Sequence, residues 1–439
     1  MILTRLTEKA STWLKIFIFL QLTAILLVAS INLFKFPIWC PIDEEAHFSY
    51  IQYLAQMHRL PVEGQDHETS EAIAIAEKIY PHKPSGDPAK LGIGGSAYEA
   101  FQPPLYYLAA TPFFYLSSNY ITKVYWIRFF DFLLLFGSIF LLWRLARSYF
   151  RKPLPAFSLA LNFFFLPGIL LRSITISNEV LEVPLVLLFI LFLFKFDRIR
   201  KRIYLLLASL TLAAAVLTKI TELYLAPLIL LAIARAYAAD REKKQLMINS
   251  FSFLLIFLLP LAPWLLFNIR HFDSLTASNL AMAIQTPIIN PQHLHFSVAA
   301  AGKMLLQSPT FLLIPEEWVS VAYDHFPVIL TRDFIYAMFL ILPVFLTLVS
   351  LRRAWKDYLL ALPLLLNILV LAAIVLFEDW PVLIQARYMY PTLILWALYG
   401  YNLLRRQIGQ RAIYFLSAVT FFLLAWNWII LFLLDPFRY

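Results

Sequence analysis

Asp43, Glu44 and Glu45, with His47 close behind, follow directly on the apolar run from Leu14 to Phe34. Three carboxylates and an imidazole therefore sit where a membrane span meets water. A carboxylate at such a boundary loses part of its hydration and becomes a stronger proton acceptor near neutral pH. The plainer role for Asp43 or Glu44 is to cap a helix running to about His58, whose first turn favours negative charge. The two roles are compatible.

Other isolated ionisable residues lie at the ends of apolar runs: Arg128, Arg172, Asn178 with Glu179, Lys219 with Glu222, Arg270, and Arg387. A charge at the lip of a span is costly unless it is paired or faces a watery cavity. Taken together with Asp43, these residues predict a cavity holding acids for a proton and bases for a phosphate. Arg suits the second task because its fork matches phosphate oxygens and it stays charged.

The elements that must position these groups are helices. The chain has 439 residues, of which 61% are hydrophobic and 14% charged, with mean hydropathy +0.73. That composition belongs to a polytopic membrane protein of the all-α class. The net charge of +9 does not indicate nucleic acid, because Lys and Arg occur in small clusters between apolar runs. The single cysteine, Cys40, excludes an internal disulfide framework.

Apolar runs at about 14–34, 124–145, 154–172, 179–196, 203–219, 221–237, 246–269, 330–350, 358–377, 382–403 and 412–434 predict eleven crossings. If residues 101–118 dip in or lie at the surface instead of crossing, every dense Lys/Arg cluster falls on the side of the N-terminus. The expected topology is therefore N-terminus cytoplasmic and C-terminus outside, in a plasma membrane, with the first span kept as an uncleaved anchor. The whole chain, 1–439, reads as one transmembrane domain with two large outer loops. The first, 35–123, carries a surface helix over about Glu68–Tyr80 and includes 101–118; the second is 271–329.

Asp43-Glu44 after the first span, Gln102-Pro103-Pro104-Leu105-Tyr106-Tyr107, Asn178-Glu179, Leu217-Thr218-Lys219, and Ala386-Arg387-Tyr388 through Pro391 together resemble the GT-C membrane glycosyltransferases. The resemblance is to the protein O-mannosyltransferase and aminoarabinose transferase branch and runs from about residue 15 to 400. It implies a transferase that takes a sugar from a polyprenyl-phosphate carrier on the outer face. It also implies an acidic residue at the start of the first outer loop as base or acceptor-positioning group, which falls on Asp43 or Glu44. That family often has Lys or His before Pro-Pro-Leu, contacting the lipid phosphate. Here the residue is Gln102, so the phosphate role passes to Arg172, Lys219, Arg270 or Arg387, with Gln102 and Tyr388 beside them. His47, Glu99, Arg128, Asn178, Glu179 and Glu222 are expected to line the cavity or meet the acceptor.

No metal site is assigned: His293-Leu294-His295 lacks placed carboxylates, although Asp43, Glu44 and His47 at helical spacing leave room for a loosely held divalent cation. The expected partners are the lipid-linked sugar and membrane lipids. The competing readings are a lipid or glycan transporter or flippase, which predicts charge deep inside spans and repeated broken helices, and a catalytically inactive scaffold.

Overall fold

The computed structural model describes residues 2–39, 43–63, 65–67, 69–79, 97–277, 357–377 and 389–434. Among them every regular element is helical; the only extended pairing is an isolated bridge between Glu63 and Asp66. The helices are α1 (Ile2–Lys35), α2 (Glu44–Gln52), α3 (Ser70–Ile79), α4 (Leu105–Phe114), α5 (Tyr120–Tyr149), α6 (Pro153–Phe164), α7 (Pro167–Arg172), α8 (Glu179–Ile199), α9 (Arg202–Val216), α10 (Ala226–Asp240), α11 (Lys243–Phe272), α12 (Tyr358–Phe377), α13 (Tyr390–Gln407) and α14 (Gly409–Leu434).

Among the described residues, five stretches, Thr12–Lys35, Tyr120–Tyr149, Ile220–Ala239, Lys243–Phe272 and Ala412–Ile429, are long and apolar enough to cross a membrane. The chain is an integral, multi-span helical membrane protein. Each apolar run read from the sequence falls on a helix wherever it is described, while 330–350 lies outside the described residues. Prolines mark the departures: Pro167 separates α6 from α7 inside one expected span, because it cannot donate to the turn behind it. The ten residues of α4 rise about 15 Å, half of a ~30 Å hydrocarbon core. Pro103 and Pro104 fix where α4 begins, Pro104 standing at its N-cap.

The chain forms two compact units. One comprises α1 as far as Asn32, α5 from Phe136, α6, α7 to Leu171, and α12 to α14. Helix α6 is buried from Pro155 to Phe164, as expected of a helix apolar on all sides. Its two polar residues are satisfied: Gln21 donates to Asn162 Oδ1 at 2.8 Å, and Ser158 Oγ pairs with Ser417 Oγ at 3.0 Å.

The other unit comprises Leu33–Leu135 and the described residues from Arg172 to Ala277. In it α9 packs against both α8 and α11, and α2 packs on α4. Trp39, Phe48, Ile51, Tyr106, Phe114 and Ile127 share one buried apolar cluster. Phe251, Leu255, Leu259 and Leu266 on α11 stay exposed, an apolar face suited to lipid. All described candidate site residues belong to this second unit.

Candidate functional site

Asp43 starts α2 in the left-handed backbone region (φ 74°) and is half-buried. Asp is among the few side chains that tolerate this conformation. Its carboxylate makes no capping bond to the helix, and the first helical bond is from the His47 N–H to the Asp43 carbonyl at 3.0 Å. The capping role expected for this acid is therefore not the one its side chain performs.

Glu44, the next residue, is fully buried. Arg128 of α5 grips it with two prongs, Nε to Oε1 at 2.8 Å and Nη2 to Oε2 at 2.6 Å. The Trp39 N–H donates to Oε2 at 3.0 Å and the Ile176 N–H to Oε1 at 3.1 Å. Arg128 also donates to the carbonyls of Phe36 at 2.7 Å and Pro37 at 3.0 Å. A bidentate guanidinium–carboxylate pair with its remaining bonds filled is the arrangement in which a buried ion pair holds. One turn along α5, Asp131 accepts the Tyr106 hydroxyl at 3.0 and 3.1 Å, and Tyr106 in turn accepts the Ser177 N–H at 3.1 Å. Three stretches distant in sequence (36–44, 106–131 and 176–177) are thus locked together around Arg128.

His47, on the turn after Asp43, is buried with its Nδ1 2.8 Å from the Tyr107 hydroxyl. Tyr107 stacks flat on Tyr50 at 3.8 Å, and Tyr50 donates to the Gln102 carbonyl at 3.2 Å. Burial, and then the charge of the buried Glu99, push the Tyr50 hydroxyl well above its ordinary pKa, so it stays a donor. At the outer edge of the same loop Arg59 forks onto Asp66 with two bonds of 2.6 Å. That guanidinium holds the Asp66 carboxyl below the usual carboxylate range.

Asn178 stands at the N-cap of α8, yet its amide donates away from the helix, to Gln102 Oε1 and to the Thr218 carbonyl, both at 3.1 Å. The Leu105 N–H donates to the Leu217 carbonyl at 2.9 Å. The Gln102, Asn178 and Leu217–Lys219 motifs therefore meet through direct hydrogen bonds. Beyond them, Lys219 Nζ lies 2.9 Å from Glu179 Oε1 and 3.7 Å from Glu182 Oε2. Glu222 adjoins Glu182 and Lys219, and all four side chains are buried. Glu182 and Glu222 thus meet each other, with Tyr224 beside Glu222.

Of the residues expected to bind phosphate, Lys219 is thus already paired with acids. Arg172 is half-buried at the end of α7, and Arg270 is exposed near the end of α11. Arg387 and Tyr388 lie outside the described residues. The cation that meets the acidic motif is Arg128, expected only as a cavity-lining residue. Asp131 and Glu182 were not singled out from the sequence, and Tyr106 was marked only as part of the Gln102–Tyr107 motif. The spacing Arg128–Asp131 and Glu179–Glu182, each one turn apart inside an apolar helix, was the available signal. Among the described residues no group of three His, Cys, Asp or Glu side chains is placed to hold a metal ion.

Residues 102–267 match the family model described as dolichyl-phosphate-mannose-protein mannosyltransferase. That range holds the Gln102, Asn178 and Lys219 motifs, so the resemblance read from them is met there. Among solved structures, the chain is similar to the oligosaccharyltransferase AglB from Archaeoglobus fulgidus in complex with an inhibitory peptide and a dolichol-phosphate (14% identity, 92% of this chain, 55% of that one, TM-score 0.48). The apo form of the Archaeoglobus fulgidus oligosaccharyltransferase gives 13% identity, 93% and 54% coverage, and a TM-score of 0.47. ArnT from Cupriavidus metallidurans in the apo state gives 13%, 91% and 78%, and 0.36. The chain spans about half the length of the two oligosaccharyltransferase chains. No match was found among proteins of curated function.

Proposed function

We propose that this protein is a membrane glycosyltransferase that moves a sugar from a polyprenyl-phosphate donor to an acceptor hydroxyl on the non-cytoplasmic face, with Asp43 as the base. The observation that carries this reading is the difference between two adjacent acids. All the bonds described for Glu44 go to Arg128 and to two backbone N–H groups, whereas Asp43 sits half-buried in a left-handed turn without capping its helix. Non-glycine residues held in such conformations cluster at active sites.

In this mechanism Asp43 takes the proton of the acceptor hydroxyl as its oxygen attacks the anomeric carbon. The carbon–oxygen bond to the carrier phosphate breaks, and the polyprenyl phosphate leaves with that electron pair. A single displacement of this kind inverts the anomeric centre and needs one carboxylate. Glu44 acts indirectly: through Arg128 it fixes the start of α2 and hence the direction of Asp43. Arg172 is the proposed phosphate ligand. Arg270 is assigned to the membrane surface, and Lys219 to holding the Glu179–Glu182–Glu222 cluster beside Gln102 and Asn178. His47 and Glu99 line the acceptor side.

The test is transfer from a set of polyprenyl-phosphate sugars by reconstituted protein. Asp43→Asn keeps the turn geometry and is expected to lower transfer by about 10²–10⁴-fold, the range of a general base, with an unchanged melting temperature. Transfer surviving in Asp43→Asn at the wild-type rate sinks the assignment.

A further inference from the structure

At the far end of α8 from Glu179 the structure holds a cavity of about 250 Å³, formed where the C-terminal ends of α8 and α10 meet the first turns of α11. Its walls include Arg200, Tyr237, Gln245, Asn249 and Glu242, with Phe196 on the apolar side. Arg200 closes α8 in the left-handed region (φ 61°), its N–H bonded to the Phe196 carbonyl at 2.9 Å. Its Nη2 lies 3.7 Å from Asp197, which also accepts from Arg235 at 3.3 Å. Arg200 Nη1 is buried and has no hydrogen-bond partner. Gln245 donates to Asn249 Oδ1 at 2.9 Å, which leaves the Asn249 amide nitrogen as a second donor.

A buried guanidinium N–H without an acceptor is expensive to leave unmade, and here it lines a cavity. The surroundings favour an anion: residues 195–202 and 235–244 carry nine Lys and Arg against three Asp and Glu. Glu242 is the one acidic residue in the lining. The volume lies below the ~300–1,000 Å³ of pockets for drug-sized ligands, so it admits a headgroup and not a whole lipid. Basic pockets between membrane helices bind phosphate-bearing headgroups by this combination of fork and field.

We infer that this cavity binds a phosphate-bearing anion through Arg200 Nη1 and Asn249, at a site separated from the proposed transfer centre by the ~30 Å length of α8. The anion is the headgroup of an acidic phospholipid or a soluble phosphate compound.

The experiment uses full-length protein in phosphatidylcholine nanodiscs, with either phosphatidylglycerol incorporated or inorganic phosphate added, read by thermal unfolding and by native mass spectrometry of retained lipid. Wild type is expected to melt at higher temperature with one of the two probes. Arg200→Gln should weaken that response by about tenfold or more, the loss of one charge-assisted bond, and Arg200→Lys should restore part of it. A response to phosphatidylglycerol alone identifies a lipid headgroup; a response to inorganic phosphate identifies a soluble ligand. Asn249→Leu reads the same loss should Arg200→Gln fold poorly. Wild type and both variants responding alike to both probes, or none responding, overturns the inference. Transfer activity in pure phosphatidylcholine is expected to be the same in Arg200→Gln as in wild type, so this outcome is independent of the proposed function.

Discussion

Glu44 with Arg128 and Lys219 with Glu179, Glu182 and Glu222 are both buried ionic groups of the same unit, and they are built on opposite plans. The first pairs one acid with one base, fills both carboxylate oxygens twice, and gives the guanidinium two carbonyls besides. The second sets one ammonium among three carboxyls, within 2.9 Å of Glu179 but 3.7 Å from Glu182. A closed, neutral group resists change at either partner. An acid-rich group holds more carboxyls than its one ammonium can pair. The comparison separates a joint that fixes geometry from a region with capacity to spare, and the motif residues Gln102 and Asn178 stand beside the second.

Breaking the joint is the largest test. Arg128→Ala leaves Glu44 buried without its cation and is expected to destabilise by about 3–5 kcal/mol, measured as loss of folded protein in a detergent melt. Glu44→Leu combined with Arg128→Met should recover most of that. If the double variant melts as low as the single one, the Phe36 and Pro37 carbonyls carry more of the joint than the ion pair does. Next, Tyr106→Phe removes the donor to Asp131 and should cost about 1.5–3 kcal/mol, as for bonds to charged groups. Because it leaves Asp43 in place, its effect on transfer should fall well short of that of Asp43→Asn.

In the acid-rich cluster, Glu182→Gln and Glu222→Gln each remove one acid from a buried group of three carboxyls and one ammonium, and are expected to leave the melting temperature unchanged or to raise it. A loss as large as that of Arg128→Ala would erase the contrast between the two groups. The smallest effect belongs to the exposed fork of Arg59 on Asp66. Its Asp66 pKa is lowered by folding, so its stabilisation is present above the ordinary carboxylate range and is lost as pH falls through the lowered value. Because the Arg59 side chain is 49% exposed, solvent screens the pair to about 0–1 kcal/mol. Amide exchange at 62–66, in wild type and Asp66→Asn, reads that loss locally.

The helices were legible because apolar runs bounded by Pro and by charge map directly onto them: α5, α8, α9 and α11 lie within a few residues of the runs at 124–145, 179–196, 203–219 and 246–269. The start of the short α4 was legible from the two prolines. Gln102, Asn178 and Lys219 were picked out as motifs by the family resemblance, and the structure joins those motifs by hydrogen bonds. The choice of partners was not, because pairing depends on which helices adjoin. Nothing in the chain says that Arg128, 84 residues on, belongs to Glu44, or that Lys219 meets acids before it meets a phosphate. Left-handed Asp43 was likewise invisible, since Asp adopts either hand of backbone and only the folded turn shows which.

The Glu44 joint also imposes an order on synthesis. Its last donor, the Ile176 N–H, lies 132 residues downstream, and at about 5–20 residues per second the ribosome needs roughly 7–26 s to supply it. Arg128, 84 residues on, is made well before that, so the fork onto Glu44 and the Phe36 and Pro37 carbonyls can form first and the Ile176 N–H closes the group last.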